Sequence, residues 1–232
     1  MKEIELARAA IKNGNYIVFF GGAGTSTESG IPDFRGDNGI YKKTFKGYSP
    51  EEILHINFVL KNPDIFYEFL NEKLCVDVEP NDGHKALAEL ERRGKLKAVI
   101  TQNIDGLHQK AGSKEVIELH GNLRSYYCMR CGKEDKKFFK CECKGIVRPK
   151  IVLYGEVLDP DDISRAVEHI KRADVLIVAG TSLTVYPANS LLEYFNGNDV
   201  IFINTSPTQY DSMANIIIRK PFAEAMREII NY

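Results

Sequence analysis

Five short apolar runs, at residues 17–20, 97–100, 175–179, 200–203 and 216–218, are separated by stretches whose apolar positions recur at helical spacing. Unbroken apolar runs of this length fit strands buried on both faces, and their alternation with helices predicts a parallel sheet under covering helices. The helices carry their own end signals. In NDGHKALAELERRGK, Asn81 or Asp82 is the predicted N-cap, Ala86, Leu87 and Leu90 form the buried stripe, and Gly94 ends the helix. DPDDISRAVEHIKRAD begins with acids and ends with bases, as the helix dipole favours. The first fifteen residues read as an amphipathic helix with acidic residues, not as a signal peptide.

Two stretches break the alternation. Residues 37–75 are polar and aromatic with helical tendency, and residues 124–148 hold the clustered cysteines and many lysines. Both read as insertions into the α/β unit that pair as a second lobe. Composition narrows the function without naming it. At 232 residues and 44% hydrophobic content the chain fills one large domain with a small appendage. A net charge of −1 argues against nucleic acid as a partner. No apolar run nears the roughly 20 residues that span a bilayer, so no membrane association is expected, and the chain is read as a cytoplasmic monomer.

Four of the five cysteines fall within CMRCGKEDKKFFKCEC. Cys128 and Cys131 form a C-x-x-C knuckle, and Cys141 and Cys143 a tighter C-x-C pair. Four thiolates suit tetrahedral Zn²⁺ and leave no position for water, which describes a structural site; free or redox-active thiols are the alternative. The short second pair makes Cys141 the weakest of the ligands. Cys75 is left over as a small buried hydrophobe.

The first apolar run continues into GGAGTSTESGIPDFRG. Gly22 and Gly24 allow a tight turn and close approach to a pyrophosphate, with Ser26, Thr27 and Ser29 as hydroxyl donors; an ordinary strand-to-helix turn reads the same way. Thr27 stands where a dinucleotide fingerprint has its third glycine, and no acid follows about 20 residues on, which disfavours a standard dehydrogenase. The second run delivers Thr101, Gln102, Asn103 and Asp105 at its carboxyl end, suited to ribose hydroxyls and a carboxamide. His120 follows a short β-like run and is a candidate general base; on spacing alone His108 serves as well, while His55, His84 and His169 read as surface or helix residues. Gly180, Thr181 and Ser182 after the third run, and Asn204 after the fourth, make two further polar crests for an adenosine half.

Taken in order, GAGTSTESGIPDFRG, TQNIDGLH, ELHG, the cysteine quartet, RPKIVLYGE, GTSLTVYPA and INTS span almost the whole chain, and the chain resembles the sirtuins, NAD-dependent protein-lysine deacylases. FFGGAG with STESGIPDFR is most similar to bacterial, Firmicutes-type members. The resemblance implies an α/β fold: a Rossmann-like sheet with helices on both faces from residues 1–36, 76–123 and 149–232. A small discontinuous domain would combine a helical module, 37–75, with a zinc-binding module, 124–148, holding one structural Zn²⁺.

It also implies that NAD is consumed as co-substrate. Gly22, Ala23, Gly24 and Thr27 would hold its pyrophosphate, and Phe34 and Arg35 would close over the nicotinamide ribose. Gln102 would bind ribose, Asn103, Ile104 and Asp105 would line the nicotinamide pocket, and Thr181, Ser182 and Asn204 would take the adenosine side. Acyl-lysine oxygen would attack C1′ as nicotinamide leaves, with Asn103 and His120 as the catalytic pair and His120 the base, yielding free lysine and 2′-O-acyl-ADP-ribose. Acylated protein would bind by strand addition along Gly155, Glu156 and Val157, with Val185 on the opposite wall. Desuccinylating members carry Tyr-x-x-Arg; here Leu70 follows Tyr67 at that spacing, so acetyl or another uncharged acyl group is expected. Two other readings share these motifs: mono-ADP-ribosyl transfer from the same pocket, and a non-catalytic zinc-ribbon interaction protein with a vestigial nucleotide fold.

Overall fold

The computed structural model describes residues 2–36, 39–135 and 141–230; the parts of the expected helical and zinc modules at 37–38 and 136–140 lie outside the described residues. In chain order the strands are β1 (Ile17–Gly21), β2 (Leu96–Thr101), β3 (Val116–Glu118), β4 (Gly121–Cys128), β5 (Glu134–Asp135), β6 (Val147–Ile151), β7 (Val175–Ala179), β8 (Asp199–Ile203) and β9 (Ile216–Ile218). The α-helices are α1 (Lys2–Asn13), α2 (Pro50–Ile53), α3 (Ile56–Lys61), α4 (Pro63–Phe69), α5 (Asp82–Arg92), α6 (Leu107–Ala111), α7 (Pro160–Arg172) and α8 (Phe222–Ile230).

Six strands form one sheet in the order β3-β2-β1-β7-β8-β9, every neighbouring pair parallel. From β1 the chain winds outward through β2 to β3, then returns beside β1 as β7 and winds the other way. The order therefore reverses between β1 and β7, and in such sheets ligands sit in the crevice at the carboxyl ends of the strands flanking that reversal.

Strand side chains alternate between faces. Ile17 and Phe19 join Val99, Ile177 and Ile201 in a core closed by α1, α5 and α8, while Val18 and Phe20 join Ile100, Leu176, Val178 and Phe202 in a second core closed by α7. This is why the runs show no polar alternation: both faces are covered. The capping signals are realised. Asn81 caps α5 by accepting the Gly83 and His84 N–H groups, and its amide nitrogen also donates to the Thr25 carbonyl. Asp159 caps α7, and Glu28, from the glycine-rich segment, accepts the Ala223 and Glu224 N–H groups at the start of α8.

The first insertion folds as α2, α3 and α4 followed by a π-helical turn at Leu70–Leu74. Ile53, Val59, Phe66, Phe69 and Leu74 pack with Ile151 and Leu153 in a core of their own. Cys75 is partly buried on that core. The second insertion carries an antiparallel sheet, β5-β4-β6, in which β4 begins at Gly121 and β6 ends at Ile151. Beside it the sulfurs of Cys128, Cys131, Cys141 and Cys143 all lie within 4.8 Å of one another. Cys128 and Cys143 are 3.5 Å apart and Cys131 and Cys141 3.7 Å, too far for disulfides. Ligands about 2.3 Å from a tetrahedral zinc stand about 3.8 Å from each other, so the quartet fits Zn²⁺ with Cys141 as a full member.

Among the histidines, His84 lies on a helix as expected but is completely buried, and His108 is 1% exposed. Their rings meet edge to face at 4.7 Å, packed on Phe19 and Phe222, which removes His108 from the solvent-facing candidates. Burial pushes the His84 imidazole down to about 4 and the His108 imidazole well below its ordinary value, where His84 adds to the effect.

Two outcomes follow for stability. The unfolded chain takes up protons on these histidines near pH 6.5 and the folded chain does not. The neutral burial of His84 therefore stabilises fully above that pH and progressively less as pH falls toward 4, and that of His108 loses stability in the same direction. The thermal midpoint of His84→Phe is expected to fall less between pH 6.5 and 4.5 than that of the parent; parallel curves contradict this. Chelation of zinc is expected to lower the midpoint by several degrees, with loss of the β4–β6 sheet measured by amide exchange; a midpoint unmoved by chelation contradicts a structural metal.

Candidate active site

A cleft of about 910 Å³ opens at the carboxyl ends of β1, β2, β7 and β8, between the large sheet and the two insertions. The predicted NAD- and peptide-binding residues line it together with His120 and Asn103, whereas Ser29, Thr101 and His108 do not. Its floor is a contact between two backbone turns. After β1 the chain enters a 3₁₀ turn, Ala23–Ser29, and the Gly24 N–H donates to the Gly180 carbonyl at 2.7 Å. A Cβ on Gly24 would stand 2.8 Å from Gly180, and one on Gly180, whose φ is +59°, only 2.3 Å from the Thr25 nitrogen. The glycines are thus required first by this crossing; the open approach to a phosphate comes with it.

Thr25 is completely buried at the crossing and its hydroxyl donates to the Gly22 carbonyl. Ser26 donates to Asp105 Oδ2 at 2.7 Å. Both hydroxyl protons are therefore committed, and both oxygens accept from the Asn103 side chain, at 3.0 and 3.1 Å. Only the amide nitrogen can donate twice, so the amide orientation is fixed and Asn103 Oδ1 remains an acceptor. The Leu107 N–H holds Asp105 Oδ1 at 2.9 Å. Burial raises the Asp105 carboxyl above its ordinary value, and these two donors oppose the shift. Each oxygen keeps a lone pair for an incoming amide.

His120 follows β3 and lies 2.9 Å, through Nδ1, from the Gln102 carbonyl. A carbonyl only accepts, so Nδ1 carries the proton and Nε2 is the basic nitrogen. Burial holds the imidazole below its ordinary 6.5, against a smaller opposing effect of the Gln102 bond, so it is neutral at pH 7. Gln102 in turn donates to the Thr181 hydroxyl, and the Thr181 N–H to Asn204 Oδ1 at 3.1 Å. That leaves Asn204 Nδ2 a buried donor with no partner among the described residues. An orphaned donor on a cleft wall beside a glycine crossing fits a polar ligand such as the ribose and phosphates of NAD.

On the opposite wall the Phe34 ring packs on Tyr41 at 5.1 Å and the Arg35 guanidinium lies over the same ring at 5.2 Å. Tyr41 also shares a hydrogen bond with Tyr154. Thr27 and Ser182 are exposed, Val185 is half-buried, and Val157 is 87% exposed. The Glu156 carboxylate faces away to the buried Arg148. Sequence reasoning missed Thr25, Tyr41, Tyr154 and Arg148. Thr25 sits in plain view within GAGTST, but in IVRPKIVLY the buried Arg148 and the exposed Lys150 share one apolar setting, so nothing local singles out Arg148.

Comparison with known proteins gives this geometry its relatives. The Sir2 family model matches residues 22–187. A protein from Fusobacterium nucleatum named NAD-dependent protein deacetylase is 50% identical over 99% of this chain and 91% of its own length. One of the same name from Clostridium acetobutylicum is 47% identical over 99% of each. Among solved structures, one described as bearing on the mechanism and regulation of Sir2 enzymes superposes with a TM-score of 0.92 at 38% identity, covering 99% of this chain and 96% of that one. A Sir2–p53 peptide–NAD⁺ complex gives 0.88 at 37%, covering 99% and 97%. The chain belongs to the Sir2 family.

Proposed function

We infer that this chain is an NAD-dependent protein deacetylase, removing acetyl or another uncharged acyl group from lysine side chains and releasing nicotinamide and O-acyl-ADP-ribose. The observation that carries the reading is His120: a neutral imidazole of fixed tautomer, in one cleft with Asn103, Asp105 and the glycine crossing. NAD would supply a ribose carbon bearing a leaving group that an amide oxygen can displace.

The residues divide the remaining work. Ala23, Gly24 and Thr27 would hold the pyrophosphate, while Gln102, Thr181, Ser182 and the unpartnered Asn204 amide would take the ribose and adenosine side. The spare lone pairs of Asp105 would accept the carboxamide N–H groups, with Ile104 against the ring. His120 Nε2 would take a proton from a ribose hydroxyl. Phe34 and Arg35 would close the cleft against water. Holding the reactants aligned accounts for much of the acceleration such a site can give. The acyl-lysine peptide would add as a strand between Gly155–Val157 and Val185. In this reading 37–75 and 124–148 are the small domain that supplies the far wall, and the rest of the chain is the NAD-binding domain.

The wall backed by the helical core is formed by Leu54, Leu74, Leu123, Ile151 and Leu153, none of which offers a cation to a second carboxylate, and the Arg35 guanidinium is engaged over the Tyr41 ring. Acetyl-peptide turnover is therefore expected to exceed succinyl-peptide turnover by at least tenfold, roughly the cost of one unpaired polar group; equal rates contradict the assignment. His120→Ala is expected to lower turnover by about 10²-fold or more while leaving the thermal midpoint within about 3 °C. In the parent, the base is lost as pH falls through the depressed histidine value, so the acid limb of kcat/KM should lie below pH 6.5; an acid limb above pH 7 would remove His120 from the role.

A further inference from the structure

Arg148 is the largest fully buried side chain among the described residues, 1% exposed, and the next largest are all Phe, Ile or Leu. It lies on β6, opposite Tyr127 of β4, whose ring is 5.7 Å from the guanidinium. Nη1 and Nη2 donate to the two oxygens of Glu156 at 2.6 and 2.9 Å, Nε donates to the Pro149 carbonyl at 3.3 Å, and Nη2 also donates to the Ile151 carbonyl. Taking a guanidinium out of water is costly, and a well-packed apolar replacement for such a pair is often neutral or stabilising. Stability alone is a poor reason for this residue.

The geometry gives a better one. Glu156 Oε2 also accepts the Leu153 N–H at 2.9 Å, and the Glu156 N–H donates to the Leu153 carbonyl at 3.0 Å, closing a turn in which Gly155 has φ +88°. Tyr154 is paired in both directions with the helical insertion, through the Leu54 carbonyl and the Ile56 N–H, and the Val152 N–H donates to the His120 carbonyl. Residues 152–156 are therefore clamped from three sides, and the side-chain clamp is the Arg148 fork. Beyond it Val157 stands exposed.

We propose that Arg148, acting through Glu156, is a positioning residue that pre-forms the strand edge at Gly155–Val157 to which an acyl-lysine peptide adds. The proposal rests on the deacetylase reading above for the identity of the peptide. An edge held in advance spares the peptide the entropy of ordering it, so loss of the fork falls on peptide affinity and not on NAD or the proton transfer at His120. Glu156, whose carboxylate is occupied by Arg148 and whose N–H is held by the Leu153 carbonyl, meets the peptide through its own carbonyl.

The test compares the parent with Arg148→Met, Arg148→Lys and the double variant Arg148→Met/Glu156→Leu, which leaves no unpaired charge and decides the matter if the single variant fails to fold. Peptide KM is expected to rise about tenfold in Arg148→Met and in the double variant, with kcat and NAD KM changed less than about threefold. Arg148→Lys keeps the charge without the fork and should recover only part of the loss. Unchanged peptide KM in the folded double variant, or a fall in kcat with both KM values unmoved, overturns the proposal. Anisotropy of a labelled acetyl-lysine peptide on each protein without NAD separates the two readings. A parent that binds the peptide without turning it over contradicts the deacetylase assignment, while equal dissociation constants for parent and double variant contradict the positioning role.

Discussion

The site depends on how closely two turns of backbone approach each other between β1 and β7. With the Gly24 N–H on the Gly180 carbonyl at 2.7 Å there is no room for a side chain on either residue. That contact buries Thr25 and turns its hydroxyl toward Gly22, which orients the Asn103 amide, and through Ser26 the Asp105 carboxylate. A parallel run of hydrogen bonds, from His120 through Gln102 and Thr181 to Asn204, crosses the carboxyl ends of β2, β7 and β8. Two sets of directed hydrogen bonds thus converge on one cleft, oriented by the Gly22 and Gln102 carbonyls and the Asp105 carboxylate, which accept, and by the Thr181 N–H, which donates.

Against this rigid floor the other wall comes from separate cores. The helical insertion and the cysteine sheet have their own hydrophobic clusters, and segment 152–156 lies where they meet the large sheet. A cleft built between independently packed units suits chemistry that must exclude water after two substrates have entered, since one wall can shift without disturbing the donors on the other.

Much of this was legible in the sequence. Apolar runs without alternation located five of the six strands of the large sheet, all but the three-residue edge strand β3, and Asn81 and Asp159 marked helix starts through capping chemistry that is local to a few residues. The cysteine spacing pointed to four sulfurs in one place. What could not be read was whatever the tertiary fold decides. His108 and His120 follow equivalent local signals, and only packing against His84 and Phe19 hides one of them. Gly22 and Gly24 were legible as a turn, but their partner, Gly180, lies more than 150 residues along the chain. Arg148 and Glu156 are eight residues apart with nothing in their spacing to announce a pair.

The central claim is that the cleft breaks NAD to take an acyl group from lysine. Mass spectrometry of the products from NAD and an acetyl-lysine peptide tests it directly. The account predicts nicotinamide, free-lysine peptide and O-acetyl-ADP-ribose in equal amounts; ADP-ribosylated protein in place of O-acetyl-ADP-ribose, or a deacetylated peptide with NAD left intact, would contradict it.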